Sequence, residues 1–216
     1  MMKKTQKCFA LILSVGILFL CLLGCSQKVD QFGADEQGRT MNEKTGDVYL
    51  IAPDCYAPIS IDEEVYGRSS SNVYHAVTGA DPSKWLYGEL GMLFYGADVT
   101  LPTPEQMSID RISVLDSEGG AIGTISDPSE VREAVLCYTE GTNEPYSGVI
   151  QPLALYTIRF EDSSLGICYV VNYYLEYQGK TEDERVAYLY CRSERRFVAV
   201  SESVQSAIEA VIGVEA

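Results

Sequence analysis

The sequence predicts an α+β fold: an antiparallel sheet with helices on one face, built from two related strand-strand-helix units. Three observations carry this. Two stretches of the second half alternate at strand period around turn residues, which reads as hairpins. Two others place apolar residues at helical spacing behind a capping side chain. Finally, TISDPSEVREAVL at 124–136 and AVSESVQSAIEAVI at 199–212 both run from a strand through a Ser and an acid into a helix with matching apolar spacing.

The elements follow in order. Met1 to Lys7 form a basic start, and from Cys8 to Gly24 the chain is apolar apart from Ser14 and Gly16. That run is shorter than the ~20 residues a spanning helix needs, and a basic start, an apolar centre and small residues at the end make a secretory signal. Leu22-Leu23-Gly24-Cys25 resembles the bacterial lipobox, in which the cysteine thiol is acylated and the peptide is cut before it. The resemblance implies a departing signal peptide at 1–24 and lipidation of Cys25. It places a lipoprotein on the cell membrane, facing outside the cytoplasm, because two acyl chains anchor stably where one does not.

Residues 26 to 46 hold few large apolar side chains and no period. Together with Cys25 they predict a lipidated flexible tether at 25–46, with an r.m.s. span of roughly 25 Å. The extracytoplasmic domain is then expected at 47–216. Val48 to Ile51 reads as a strand, RSSSN at 68–72 as a loop, and Asp81-Pro82 before SKWLYGEL as the start of a short helix. Ile109 to Leu115 and AIGTI form a hairpin around Ser117-Glu118-Gly119-Gly120. Asp127 caps a helix with Pro128 at its first position and Glu130 at its third. Val131, Ala134, Val135 and Tyr138 share one face of that helix. LYTIRF and ICYVVNYYLEY make a second hairpin, AYLYC and RFVAV two more strands, and Ser201 or Ser203 caps a last helix ending at Gly213. This layout, with its Y-x-I-x-F-x-D and closing V-S-E-S-helix over residues 105 to 213, is similar to small α+β domains of uncharacterised lipoproteins of Gram-positive bacteria. The resemblance implies no activity.

Charge narrows the partners. The chain has 16 basic and 31 acidic residues, a net charge of −15, and loss of residues 1–24 removes three lysines and no acid, giving −18. Nucleic acid binding rests on phosphate neutralisation by Lys and Arg, so it is disfavoured, as is a polybasic grip on anionic lipid.

Few residues carry chemistry. His75 is the single histidine, and no G-x-S-x-G, S-x-x-K or H-E-x-x-H accompanies it. Cys55, Cys137, Cys168 and Cys191 form no C-x-x-C, which argues against zinc, and no metal or cofactor is implied. Cys168 and Cys191 lie on strands that could be neighbours and are the candidate disulfide. Fifteen tyrosines are many for this length. In the strand at 168–177, Tyr169, Val171, Tyr173, Leu175 and Tyr177 read as the face under the helices, which leaves Asn172 and Tyr174 as the candidate exposed pair. Arg192, Arg195 and Arg196 form a candidate anion site, since guanidinium forks bind carboxylate or phosphate. Glu161-Asp162 and Glu182-Asp183-Glu184 read as solvated turns. The expectation is a non-enzymatic binding or interaction module whose partner is an extracytoplasmic protein or envelope component. The alternative is a cell-envelope hydrolase using acidic residues.

Overall fold

The computed structural model describes residues 29–144, 154–177 and 185–213. The expected signal peptide at 1–24, Cys25, and the acids Glu182, Asp183 and Glu184 lie outside the described residues.

Seven strands close a barrel: β1 (Asp30–Ala34), β2 (Thr40–Asn42), β3 (Val48–Ile51), β5 (Ile61–Arg68), β6 (Val73–Val77), β7 (Trp85–Gly88) and β8 (Met92–Gly96), in the order β1-β2-β3-β8-β7-β6-β5. Strand β4 (Tyr56–Pro58) leaves to join the second sheet. Closure is a short parallel pairing of β1 with β5, Asp30 opposite Gly67 and Gln31 opposite Arg68. It requires glycine at 67, where a Cβ would sit 2.2 Å from the Phe32 ring. The interior is Phe32, Tyr49, Tyr74, Leu86 and Phe94, with Phe32 and Tyr74 ring centroids 4.6 Å apart. Side chains alone fill so small a barrel. Buried Asn42 ties the first hairpin together, donating to Asp30 Oδ2 at 3.0 Å while its Oδ1 accepts from the Lys44 amide at 3.0 Å. The Asn42 amide, with Lys44, holds the Asp30 carboxyl below its usual range.

Two expectations fail here. The tether expected at 25–46 contains barrel strands from Asp30 onward, so the folded part begins well before Asp47. That segment gives the interior one apolar ring and one amide, Phe32 and Asn42, too few to make a period. The helix expected after Asp81-Pro82 is a single turn followed by β7. Asp81 accepts from the Ser83 amide through Oδ1 and from the Lys84 and Trp85 amides through its carbonyl. The chain then extends, so that Trp85 packs toward the second sheet while Leu86 enters the barrel.

The second sheet is β9 (Arg111–Leu115), β10 (Ala121–Ile125), β11 (Ala154–Asp162), β12 (Ile167–Tyr177), β13 (Arg185–Cys191) and β14 (Arg196–Ala199). Its order is β10-β9-β11-β12-β13-β14, with β4 added beside β12. Its core takes Ile112, Val114, Ile158, Phe160, Tyr169, Val171, Tyr173 and Leu189, and Val77, Trp85 and Leu93 from the barrel's outer side join the same cluster. Helix α1 (Pro128–Glu140) starts at Asp127, whose side chain accepts from the Ser129 and Glu130 amides. Helix α2 (Glu202–Ile212) starts at Ser201 and ends at Gly213, whose φ of 78° is left-handed. Val131, Ala134, Tyr138, Val204 and Ile208 bury into the second sheet's core.

The fold class is therefore not the expected α+β domain. Of the described residues 45% are strand and 16% helix, and they form a closed seven-stranded barrel with a second sheet. Helix signals are dense, a cap plus a 3.6-residue period, and two short helices dominated the reading. The barrel strands are three to eight residues long, and several are buried on both sides, which removes the alternation that reveals a strand.

Candidate functional site

The apolar stripe of α1 is wider than the sheet below it can cover. Val131, Ala134 and Tyr138 face the core, whereas Val135 is half-buried and Leu136 is exposed on the neighbouring side. The chain passing in front of this side runs through a 3-10 turn at Pro104–Gln106, which Gln106 fixes by accepting from the Thr103 amide at 3.0 Å. Between the two lies a groove of about 460 Å³. Met107, Ile109, Val131, Val135 and Leu136 make its apolar wall, and Glu105, Asp110 and Arg132 are the charged groups on it. A hydroxyl hydrogen bond from Thr103 holds the Glu105 carboxyl below its usual range. Thr139 also lines the groove, and its buried Oγ1 is without a hydrogen-bond partner. Replacing that hydroxyl by a methyl of the same shape removes an unsatisfied polar group. Thr139→Val is expected to stabilise the fold by about 1 kcal/mol, read as a higher denaturation midpoint at unchanged slope.

A second cluster sits at the joint between barrel and sheet. The sulfurs of Cys55 and Cys191 and a carboxylate oxygen of Glu194 all lie within 4.8 Å of one another. Tyr169 donates its hydroxyl to Cys191 Sγ at 3.4 Å, and Ser193 Oγ stands 3.3 Å from the same sulfur. The Tyr138 hydroxyl is 3.2 Å from that of Tyr169 and donates to Glu194 Oε2 at 3.3 Å. The hydrogen bond between the thiols lowers Cys191 below the ordinary cysteine value, aided by Ser193 and Tyr169 against the effect of burial. The same hydrogen bond, with burial, pushes Cys55 up. Burial also pushes up Tyr138 and Tyr169, so both remain neutral hydrogen-bond donors.

The residues singled out in the sequence are dispersed. No disulfide joins the four described cysteines in this structure, and Cys168 and Cys191 lie on opposite faces of the sheet. In the β12–β13 register Cys191 belongs to the face of Tyr169 and Tyr173, whereas Cys168 shares the opposite face with Asn172. Cys168 instead donates to the Ala57 carbonyl at 3.4 Å, and burial pushes its thiol up to about 12. Tyr169, Val171, Tyr173 and Leu175 are buried. Asn172 and Tyr174 lie half-buried on the other face, with the Tyr174 ring 5.9 Å from that of Tyr190.

The three arginines do not converge. Arg192 and Arg195 are in the exposed turn between β13 and β14. Arg196 points to the helix side, where its Nε donates to the Tyr138 carbonyl and its Nη2 to those of Thr139 and Gly141, at 3.0, 2.7 and 3.0 Å. It is a clamp on the end of α1 and has no fork left for an anion.

Glu161 and Asp162 are buried, not solvated loop tips. Arg111 binds Glu161 through Nε at 2.7 Å and Nη2 at 2.6 Å. His75 is buried between the Asp62 carbonyl at 3.0 Å and Glu89 Oε1 at 3.3 Å. Sequence reasoning missed the groove and the Cys55–Cys191 neighbourhood. The first had a signal in Val135-Leu136, which extends the apolar face of α1. The second depends on strand register and had none.

No known protein family, curated protein or solved structure matches the chain. Fold and site together define a mostly β protein, a small barrel joined to a second sheet, that presents an apolar groove along one helix.

Proposed function

We propose that the protein is a lipid-anchored binding module of the cell envelope, tethered through Cys25, whose groove along α1 takes an apolar segment of an extracytoplasmic protein carrying a basic residue. The groove carries this reading: Val135 and Leu136 keep apolar surface out of the core, where nothing among the described residues covers it fully. Its volume is within the range of ligand sites, ~300–1,000 Å³. The wall has two acids, Glu105 and Asp110, to one base, Arg132, and the whole chain is acidic, so the complement is apolar with a positive flank. The lipobox-like Leu22-Leu23-Gly24-Cys25 supports the anchor. The hydrolase alternative is less well supported. Glu161 is held by Arg111, Asp162 is held by backbone amides, and Glu105 is shifted in the wrong direction for a general acid.

One experiment tests both parts. The protein is cross-linked in its own membrane and purified beside Cys25→Ala and Leu136→Glu. Cys25→Ala is expected in the medium or as uncleaved precursor; membrane-bound material of mature size would overturn the anchor. Leu136 is already exposed, so its substitution should leave the fold intact. A charge in the groove is expected to cut recovery of the cross-linked partner about tenfold or more. Equal recovery with wild type, or no partner in either, would overturn the groove.

A further inference from the structure

We propose that Cys55 and Cys191 form a disulfide that fastens the exit of the barrel to the last hairpin of the sheet. The argument is topological. Strand β11 occupies one edge of β12 from Ile167 to Leu175. Both β4 and β13 must therefore pair with the other edge, β4 with Ile167 to Tyr169 and β13 with Asn172 to Tyr177. Both run antiparallel to β12, so they lie end to end: β13 finishes at Cys191 and β4 begins at Tyr56. Cys55 and Cys191 fill the joint, and the Val170 amide fixes the first of them by donating to the Cys55 carbonyl at 2.7 Å. Two cysteines from opposite ends of the chain are thus brought side by side along one strand edge, with their sulfurs within 4.8 Å. Disulfide bonding requires this closeness of backbone as well as of sulfur.

The surroundings suit thiol–disulfide exchange. Tyr169 donates to Cys191 Sγ and Ser193 stands beside it, which favours the thiolate there, and the thiolate is the attacking species. Cys191 attacks one sulfur of an external disulfide, such as oxidised glutathione or a thiol oxidoreductase, and expels one thiolate. Cys55, deprotonated by that leaving group, then attacks Cys191 Sγ and expels the second. Two thiols and one external disulfide become one protein disulfide and two external thiols, and the oxidant takes the two electrons. Cys191 is 1% exposed, so the exchange belongs to the last stage of folding, after Tyr169 and Ser193 have come beside the sulfur and before the site is sealed from the oxidant. A soft metal ion on Cys55, Cys191 and Glu194 is the competing occupant of this cluster, and the chelator arm of the test below separates it from the disulfide.

Trypsin separates these four thiols from one another and from Cys8, Cys21 and Cys25, which leave together in 8–28, and it releases Cys55 in 45–68, Cys137 in 133–159, Cys168 in 160–180 and Cys191 in 186–192. Denatured full-length protein refolded in reduced and oxidised glutathione is blocked with an alkylating agent and digested without reductant. The expected product is 45–68 joined to 186–192, with Cys137 and Cys168 alkylated. Protein taken from its own membrane should give the same pair. Alkylation of Cys55 and Cys191 at every glutathione ratio, a link through Cys137 or Cys168, or protection of the pair that a chelator abolishes would each overturn it. The map is read on the wild-type chain, so the result does not depend on a cysteine variant folding. It is also independent of the groove, and failure of either leaves the other standing.

Discussion

Asp162→Ala is expected to lower stability by about 4 kcal/mol, the loss of several hydrogen bonds to a charged, buried acceptor at ~1.5–3 kcal/mol each, less what water recovers at the exposed Ser108 and Ser164 and at the half-buried Leu165. The carboxylate is 1% exposed. Its Oδ2 accepts from the Ser108 amide at 2.7 Å, and its Oδ1 accepts from the Ser164 and Leu165 amides at 3.0 and 3.1 Å and the Ser164 hydroxyl at 2.6 Å. These contacts join two parts of the fold. Ser164 and Leu165 belong to the β11–β12 turn, whose Gly166 carbonyl accepts from the Ile59 amide beyond β4. Ser108 belongs to the segment that forms the far wall of the groove. Asp162→Asn separates shape from charge. Its carbonyl oxygen can serve one side, but its NH₂ then meets the donor on the other, so a loss of about 2 kcal/mol is expected. Chemical denaturation of both variants measures this. An alanine variant within 1 kcal/mol of wild type would show that the carboxylate does not hold the two segments together.

Asp162 also marks how far the sequence could be read. Asp162 and its neighbour Glu161 stand beside a turn and look solvated, because two adjacent acids in a polar stretch give no sign of the donors they bind. Those partners, Arg111 and the Ser108 amide, are fifty or more residues away. The hairpins and helix caps of the second half were legible because their determinants are local: Asp127 one residue before Pro128, Ser201 three before Val204. The barrel was not, since it closes through Asp30 opposite Gly67, a pairing fixed by packing around Phe32. The candidate sites divide in the same way. Alternation separated Tyr169 and Tyr173 from Asn172 and Tyr174. Whether Cys191 meets Cys168 or Cys55 depends on register, and a shift of one residue reverses the face.

Arg196 gives the second large effect, and it bears on the groove directly. The last carbonyls of a helix have no partner within it, and Arg196 supplies one to Tyr138, Thr139 and Gly141 while its guanidinium lies 5.4 Å from the Tyr138 ring centroid. Charge-assisted hydrogen bonds are about twice as strong as neutral ones. Arg196→Ala is therefore expected to cost about 3 kcal/mol, and Arg196→Lys about 2, because one ammonium cannot span carbonyls served by two nitrogens of a planar fork. An anion site would behave differently: there lysine would largely rescue alanine, and added phosphate would stabilise the wild type alone. The clamp predicts no phosphate effect. It also predicts that loss starts at one end of α1, with amide exchange accelerating first near Tyr138 to Gly141, while the Asp127 end stays protected. Since Val135, Leu136 and Thr139 occupy the clamped end, the same variant should weaken capture of a groove partner more than its loss of folded protein accounts for. Faster exchange spread evenly along α1 would mean that Arg196 stabilises the whole fold and does not fix the groove helix against β14.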